Sequence, residues 1–426
     1  MNFNTLLEVF GFSPDDFIDI PIESDQLEGI YSFRIIQKVT MNKCIHCNST
    51  NIIIKDYYDT YIRTTTNKNN PSRLVIRRVR MKCKDCNKTF THPLNGYANK
   101  HRISKQVEES IIQDFTRTIS FSEIAKSYSL DKSTILKLFD RKVRYVPGES
   151  LPEILCIDEI KFSKDPLRKY VCVLSDFSNK SIVDIIESRR LPFLREYFSN
   201  KKIGELEKVK YFITDMYDGY AAIHNLYFPK SIHIVDLFHV IKQLRDTTNH
   251  IRVVTMNSLE EKDSIEYRFM KKHWEYFLIR RKDIPYGYFT IKLTGETASY
   301  DELIQRCLKL NNHFWDSYEC LQELYYYKHV SNLEEAHRFL NRVITKLRSS
   351  LYEDLHKIAN TYENWKYEIA NAFDMSSKPK RYTNGLAEGI NNKLKTLCKI
   401  SYGFGSFDRF RKRALLISNY GTKKGH

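Results

Sequence analysis

Two aspartates in this sequence stand where a carboxylate is useful for binding a metal ion. Asp158 lies in LPEILCIDEIKF, residues 151–162, a short apolar run that reads as a strand, and Asp215 directly follows a second strand-like run, VKYFIT. A carboxylate on a largely buried strand is costly unless something pairs with it, and a divalent cation is one such partner. We therefore expect Asp158 to be the first ligand of a two-metal site that cuts phosphodiester bonds.

A third acid, Glu388, stands near the start of a predicted helix in RYTNGLAEGINNKLKTLCKISYGF, residues 381–404. Asn391, Asn392 and Lys395 follow it at spacings that place them on the same face of that helix. Such a helix fits a third metal ligand beside a phosphate clamp. Taken alone, the pattern is also that of an ordinary amphipathic helix.

Two CxxC pairs supply four thiols that could hold one zinc ion: Cys44, Cys47, Cys83 and Cys86. Each pair can place two thiolates on one turn, and two such turns close a tetrahedral site. Strand-like runs at 52–62 and 74–81 flank a polar tip, so a hairpin would bring the two pairs together. The alternative is four unrelated buried thiols.

The composition is that of a globular protein with room for several domains. The chain has 426 residues, 42% of them hydrophobic, and no apolar run is long enough to span a bilayer. The N-terminus lacks the basic and apolar segments of a secretory signal. We therefore predict a cytoplasmic location in which the nine cysteines are thiols or metal ligands.

The net charge of +16 is concentrated in two blocks, residues 63–146 and 378–424. Basic blocks on a mildly acidic body indicate a polyanionic partner, most simply DNA, although a solubilising surface is the alternative. The side chains expected to contact DNA are Arg77, Arg78, Arg80, Ser133, Lys137, Arg141, Lys393 and Lys395.

Residues 104–146 read as a helix-turn-helix unit. Ser104 can cap a helix that runs to about residue 118, Ser120 and Glu123 have capping-box spacing, and Asp131 can cap a third helix. The predicted DNA contacts on the third helix lie four residues apart on its outer face, where a recognition helix meets the major groove. An ordinary three-helix packing element is the alternative.

From residue 151 onward the pattern predicts a core of alternating strands and helices. The elements expected are strands at 155–160, 170–175 and 181–187, a helix at 192–199, a strand at 209–214, a helix at 217–226 and a strand at 231–235 that ends in Asp236. This is the order of an RNase H-like core, whose first and fourth strands are neighbours. Asp158 and Asp215 would then meet and bridge two divalent ions. The acids Glu159 and Asp218 lie close to these positions in sequence.

A long helical stretch at 237–373 reads as an all-α insertion whose aromatic residues belong mostly to the core, with a minority that could stack on bases. The fold class is therefore a multidomain α+β protein. The predicted domains are an N-terminal segment at 1–40, a zinc-binding module at 41–100, a helix-turn-helix at 101–147, the first part of an RNase H-like core at 148–240, the insertion at 241–375 and the last part of the core at 376–426.

The motifs together resemble one family of proteins. The CxxC pairs, IDEIKF at 157–162, ITDMYDGY at 213–220, IVDLFHV at 234–240 and NGLAEGINNKLK at 384–395 are similar to those of the ISL-three family of bacterial insertion-sequence transposases. The resemblance covers nearly everything after about residue 40. The last three motifs are the specific ones.

This resemblance implies a DDE transposase with the catalytic triad Asp158, Asp215 and Glu388, which would bind two Mg²⁺ or Mn²⁺ ions. Asp236 and His239 match a D-x-x-H element of related families and would orient the site, or serve only the structure. The implied activity is cleavage at the terminal inverted repeats and strand transfer into target DNA, by a homodimer or larger assembly on the paired ends, in a bacterial cytoplasm. The zinc would be structural.

Two other functions fit the same residues. A DNA-binding regulator with an inactive core would bind zinc and DNA without cutting. A nuclease on the same fold would cut but not join. The presence of all three acids argues against the regulator, and a strand-transfer assay separates the nuclease from a transposase.

Overall fold

The computed structural model describes residues 3–19, 23–27, 30–64, 72–98, 102–145, 150–166, 168–291, 294–376, 378, 380–382 and 385–422. The chain forms two compact units. Unit 1 comprises Met1–Val146 and Thr396–His426, and unit 2 comprises Pro147–Lys395.

Unit 1 is built on a long β-hairpin. Its elements before residue 146 are α1 (Phe3–Val9), β1 (Glu23–Leu27), β2 (Ile30–Ile36), β3 (Ile52–Arg63), β4 (Ser72–Cys83), β5 (Thr89–Thr91), β6 (Tyr97–Ala98), β7 (Ile103–Ser104), α2 (Lys105–Asp114), α3 (Phe121–Ser127) and α4 (Lys132–Lys142). Strands β3 and β4 pair antiparallel from Ile52–Cys83 to Arg63–Arg73, which confirms the predicted hairpin. Their β-branched and aromatic residues favour such a long ladder.

The hairpin lies inside a seven-stranded sheet with the order β1-β2-β4-β3-β7-β6, and β5 pairs with β4. One face of β4 carries the buried Leu74 and Ile76, which pack with Leu7 of α1 and with Phe10, the residue after it. Helix α1 is therefore a packing element that covers this sheet.

Helices α2, α3 and α4 form a three-helix group with its own apolar core. The Ser104 side chain accepts a hydrogen bond from the Val107 N–H, and that of Ser120 accepts one from the Glu123 N–H, as the capping pattern predicts. Helix α2 ends at Asp114, earlier than predicted, because a turn follows directly. Asp131 stands at the start of α4 without a side-chain capping bond.

Unit 2 begins with a five-stranded mixed sheet. Its elements to residue 235 are β8 (Ile154–Lys161), β9 (Tyr170–Asp176), β10 (Ser181–Ile186), α5 (Leu191–Ser199), α6 (Ile203–Leu206), β11 (Tyr211–Thr214), α7 (Asp218–Tyr227) and β12 (Ile232–Val235). The strand order is β10-β9-β8-β11-β12. Strands β8, β9 and β10 are antiparallel, whereas β11 runs parallel to both β8 and β12. The prediction that the first and fourth strands are neighbours is thus confirmed.

Both faces of this sheet are covered, as the alternation along β8 requires. Leu155 and Ile157 point to a cluster that includes Phe198 of α5 and Tyr220 of α7. Cys156 points the other way, into a cluster formed largely by the helices that follow. Asp158 is two residues beyond Cys156 and so lies on that second face.

The rest of unit 2 is mostly helical. It contains α8 (Leu237–Ser258), α9 (Ile265–Lys272), β13 (Tyr288–Thr290), β14 (Thr297–Ser299), α10 (Tyr300–Leu308), α11 (Asn312–Leu324), α12 (Leu333–Ser349), α13 (Glu353–Asn364) and α14 (Lys366–Phe373). The prediction of an all-α insertion is wrong in one detail, since β13 and β14 form an antiparallel hairpin. Its turn uses Gly295 at a φ of +73°, a conformation that favours glycine. The aromatic residues are mostly core: Tyr318 and Tyr362 are fully buried, whereas Tyr326 is exposed.

Two helices end the chain, α15 (Gly385–Ile400) and α16 (Phe407–Thr422). Within unit 1, Arg413 of α16 is buried and donates from Nη2 to the carbonyl oxygens of Asp114, Arg117 and Ile119, at 3.0–3.3 Å. Residues 396–426 therefore group with the three-helix group, which differs from the predicted division that assigns 376–426 to the core. No helix among the described residues is long and apolar enough to cross a membrane.

Candidate active site

The sheet register brings the predicted aspartates level with one another. Ile213 of β11 pairs with Cys156 of β8, so Asp215, directly after β11, lies beside Asp158 in the middle of the parallel strand β8. Thr214 pairs with Val235 of β12, so Asp236 adjoins Asp215 on its other side. Three strands thus deliver one carboxylate each to the same edge of the sheet.

Helix α8 adds a histidine to this edge. It starts directly after Asp236, whose Oδ1 accepts the Phe238 N–H at 3.2 Å as a helix cap. One turn in, His239 Nδ1 lies 2.9 Å from Asp215 Oδ1 and 3.3 Å from Asp236 Oδ2. Donor atoms of these three residues lie within 4.8 Å of one another, close enough to share a metal ion.

Asp158 is held from two directions. Its Oδ1 accepts the Glu159 backbone N–H at 2.7 Å, and its Oδ2 accepts the Nδ2–H of Asn391 at 2.6 Å. Asn391 belongs to α15 and is buried, so the helix predicted to carry the third acid does reach the sheet edge. The side chain of Glu388, one turn earlier on α15, lies outside the described residues.

A cavity of about 360 Å³ opens over these acids. Asp158, Asp215 and Asp236 line its floor. Its rim carries three lysines and two aromatic side chains, namely Lys161, Lys242, Lys395, Tyr170 and Phe238. An acidic floor suits a hard cation, and a basic rim suits the phosphates on either side of it.

Burial and neighbouring charges shift the pKa values of Asp158 and His239 in this cavity. Burial raises the pKa of Asp158 to about 7, and the neighbouring Asp215 carboxylate adds to the rise. Burial by itself would lower the pKa of His239, but Asp215 and Asp236 outweigh it and raise that pKa to about 10. His239 is therefore a fixed counter-charge to its two aspartates, and a bound cation would relieve the remaining repulsion around Asp158.

Glu159 is engaged elsewhere. Arg189 Nη1 donates to both of its carboxylate oxygens, at 2.7 and 2.9 Å. The Arg189 guanidinium in turn lies between the rings of Tyr170 and Tyr217, about 5 Å from each centroid. Asp218 is the first residue of α7. The described cluster that could hold a metal comprises Asp215, Asp236 and His239, so it contains neither of these two acids and does not include Asp158.

In unit 1, the two CxxC pairs meet as predicted. Cys44 Sγ lies 3.7 Å from Cys86 Sγ, and Cys47 Sγ lies 3.6 Å from Cys83 Sγ. A tetrahedral zinc site with Zn–S bonds of about 2.3 Å spaces its sulfurs about 3.8 Å apart, so the four thiols fit one zinc ion. All four ligand atoms lie within 4.8 Å of one another.

The two turns that carry the cysteine pairs have the same backbone conformation and are joined by side-chain hydrogen bonds. Each ends in an asparagine with left-handed backbone, Asn48 at φ 58° and Asn87 at φ 59°. Asp85 of one turn accepts hydrogen bonds from Ser49 Oγ at 2.5 Å and Asn51 Nδ2 at 2.8 Å beside the other. The site is therefore preformed by contacts outside the thiols.

The structure separates the predicted DNA contacts into two groups. Exposed or half-exposed are Arg77, Arg80, Ser133, Lys137, Lys393 and Lys395, although Arg80 also pairs with Asp56. Arg78 is buried and donates to Gln37 Oε1 and the His92 carbonyl, because alternation along β4 turns it into unit 1. Arg141 is only half-exposed and pairs with Glu108 of α2. The burial of Arg78 contradicts its predicted contact with DNA, whereas DNA contact by Arg141 stays a prediction.

Sequence reasoning placed Asn391 on the same helix face as Glu388 but did not select Lys161, Lys242 or Phe238 as site residues. The signal for Asn391 was its spacing from Glu388. Phe238 and Lys242 stand four apart in the segment that opens α8, which is the spacing of one helix face.

Comparison with known families agrees with this site. A family model described as a transposase matches residues 155–414, which span all three predicted acids and more than half of the chain. The protein is therefore a transposase. It belongs to the ISL-three (ISL3) family of DDE transposases. No curated protein shows significant similarity to the chain.

Proposed function

We propose that this transposase binds the terminal inverted repeats of its insertion sequence, cuts the DNA there and joins the freed ends to target DNA. Asp158, Asp215 and Glu388 would hold two Mg²⁺ or Mn²⁺ ions. The observation that carries the proposal is the register of β8 and β11, which sets Asp158 beside Asp215 under a cavity with a basic rim.

The core around these acids is proposed to be RNase H-like. Three antiparallel strands followed by two parallel ones, in the order β10-β9-β8-β11-β12, support that assignment. The mostly helical stretch from α8 to α14 would be the insertion that separates the second acid from the third. Glu388 belongs to α15, one turn before Asn391, which contacts Asp158, and it would supply the third acid.

The donor set suits the proposed ions, because Mg²⁺ and Mn²⁺ prefer carboxylate and amide oxygens. When bound, the two ions would activate the attacking water or 3′-hydroxyl and stabilise the departing 3′ oxygen. Asp236 and His239 would orient Asp215. Lys161, Lys242 and Lys395 on the rim would bind the phosphates that flank the cut.

Unit 1 would bind the DNA ends. Its α4 presents Ser133 and Lys137 on an exposed face, as the recognition helix of a helix-turn-helix would. The structural zinc would fix the base of the β3–β4 hairpin, from which Arg77 points outward. Pairing two ends would need a homodimer or larger assembly, acting on DNA in the bacterial cytoplasm.

One assay separates this function from its two rivals. The purified protein is incubated with Mg²⁺, a duplex carrying the element's end, and a target plasmid. A transposase releases a 3′-hydroxyl end and joins it to the plasmid, a nuclease cuts without joining, and a regulator binds without cutting. Asp158→Ala should abolish both reactions while end binding stays as in the wild type. Loss of binding in that variant would contradict the role assigned to Asp158.

A further inference from the structure

The side-chain amide of Asn391 has a hydrogen-bond partner for its nitrogen, but its oxygen has none among the described residues. Its Nδ2–H donates to Asp158 Oδ2 at 2.6 Å, across 233 positions of sequence. Its Oδ1 is buried, and no hydrogen-bond donor reaches it among the described residues. The side chain as a whole is 2% exposed.

A buried amide oxygen without a donor is destabilising, because it has lost its hydrogen bonds to water. A buried polar atom without a hydrogen-bond partner is therefore uncommon in proteins unless it binds a ligand or an ion. The residue lines the cavity above the three aspartates. Because Oδ1 and Nδ2 belong to the same planar amide, the contact of Nδ2 with Asp158 also keeps the oxygen near that carboxylate.

We propose that Asn391 is a neutral ligand of the metal centre, with its Oδ1 binding a divalent cation held by Asp158. Amide oxygens are regular ligands of hard cations. Asn391 also positions Asp158. The Glu159 N–H occupies one lone pair on Asp158 Oδ1, and the Asn391 Nδ2–H occupies one on Oδ2. The second lone pair of each oxygen would bind the ion. This inference rests on the proposed metal-dependent function and adds a fourth side chain to it.

An amide has an advantage over another carboxylate at this position. The register of β8 and β11 sets Asp158 beside Asp215, so their two negative charges repel each other. A further acid in contact with Asp158 would add to that repulsion, whereas an amide supplies both an oxygen for the ion and a donor for the aspartate.

The test is a titration of the full-length protein with Mn²⁺ in the absence of DNA. Electron paramagnetic resonance measures the concentration of free Mn²⁺ and hence the affinity. Asn391→Leu keeps the branched side-chain skeleton and removes the amide oxygen and nitrogen, and Asn391→Ala serves if the larger leucine prevents folding. The matched control is Asn257→Ala, an exposed helical asparagine of unit 2. Circular dichroism and the melting temperature without added Mn²⁺ check folding.

The expected result is that wild type and the control bind Mn²⁺ alike, while the Asn391 variants bind at least tenfold more weakly. Wild-type affinity in a folded Asn391 variant would overturn the inference and leave the proposed function standing. If Asp215→Asn binds as well as the wild type, or the wild type does not bind Mn²⁺, the proposed metal site fails and this inference fails with it.

Discussion

The imidazole of His239 contacts the carboxylate of Asp215, with 2.9 Å between Nδ1 and Oδ1. The same ring lies 3.3 Å from Asp236, and the two aspartates keep its pKa high, at about 10. At neutral pH His239 is therefore a cation, which neutralises part of the charge at the sheet edge. Among the described residues, Asp158 accepts hydrogen bonds from a backbone N–H and from the amide of Asn391. Burial is the main cause of its raised pKa, and the Asp215 carboxylate adds to the rise.

The first prediction concerns Asp158 and pH. Its pKa is raised in the folded state, so its contribution to stability is fully present below the unfolded value near 4 and is lost as pH rises towards 7. Asp158→Asn removes this penalty while keeping an acceptor for Asn391. Without added Mg²⁺, we expect the variant to gain roughly 2 kcal/mol more in unfolding free energy at pH 8 than at pH 5. Urea denaturation at both pH values measures this, and a gain that does not change with pH would contradict it.

The second prediction concerns zinc. Cys83→Ser should remove the ion, lower the melting temperature of unit 1 and weaken DNA-end binding, because the ligand contributes to folding. Cys398→Ser is the matched control, since Cys398 is outside the four-thiol cluster but in the same unit. Elemental analysis of the purified proteins should find one zinc per chain in the control and little in the Cys83 variant. Equal zinc content in both would rule out the proposed site.

The third prediction concerns the buried Arg413, which caps three carbonyl oxygens after α2. Its guanidinium also lies over the rings of Phe115 and Phe121. Arg413→Met leaves those carbonyls without a donor and should destabilise unit 1 by about 2–4 kcal/mol. Lys399→Met, an exposed position of the same unit, should change stability by less than about 0.5 kcal/mol. Chemical denaturation of both variants tests the difference, and equal stabilities would refute the capping role.

The fourth prediction separates DNA contact from packing in α4. Lys137 is exposed, so Lys137→Ala should weaken end binding and reduce the salt dependence of binding by about one ion. Arg141 pairs with Glu108, so Arg141→Ala should mainly lower stability. Binding titrations at several salt concentrations, with melting temperatures alongside, distinguish the two. A loss of salt dependence in the Arg141 variant instead would reverse the assignment.

The parts of the fold that follow from local pattern were predictable. The period-two strands gave the hairpin and the five-stranded sheet, and the position of Asp215 directly after β11 gave its place at the sheet edge. Arg78 was misjudged because its surroundings depend on α1 and neighbouring strands covering one face of β4, which no local pattern reveals. The β13–β14 hairpin was not predicted because its strands have only three residues each, too few to show an alternating pattern.

Contacts between segments that are far apart in the chain also could not be predicted from the sequence. Asn391 and Asp158 are 233 positions apart, and their hydrogen bond depends on how α15 meets the sheet. The grouping of α16 with the helices of unit 1 likewise depends on Arg413 finding carbonyl acceptors nearly 300 residues earlier. Spacing predicted which residues share a face, but not which face each would meet.

The central claim is that the three acids form one metal-dependent DNA-cutting site, and Glu388→Gln tests it most directly. Single-turnover cleavage of a duplex carrying the element's end is measured in Mg²⁺, with binding of the same duplex measured in parallel. The account predicts at least a thousandfold loss of cleavage with binding unchanged. Cleavage at the wild-type rate by the Glu388→Gln protein would contradict it.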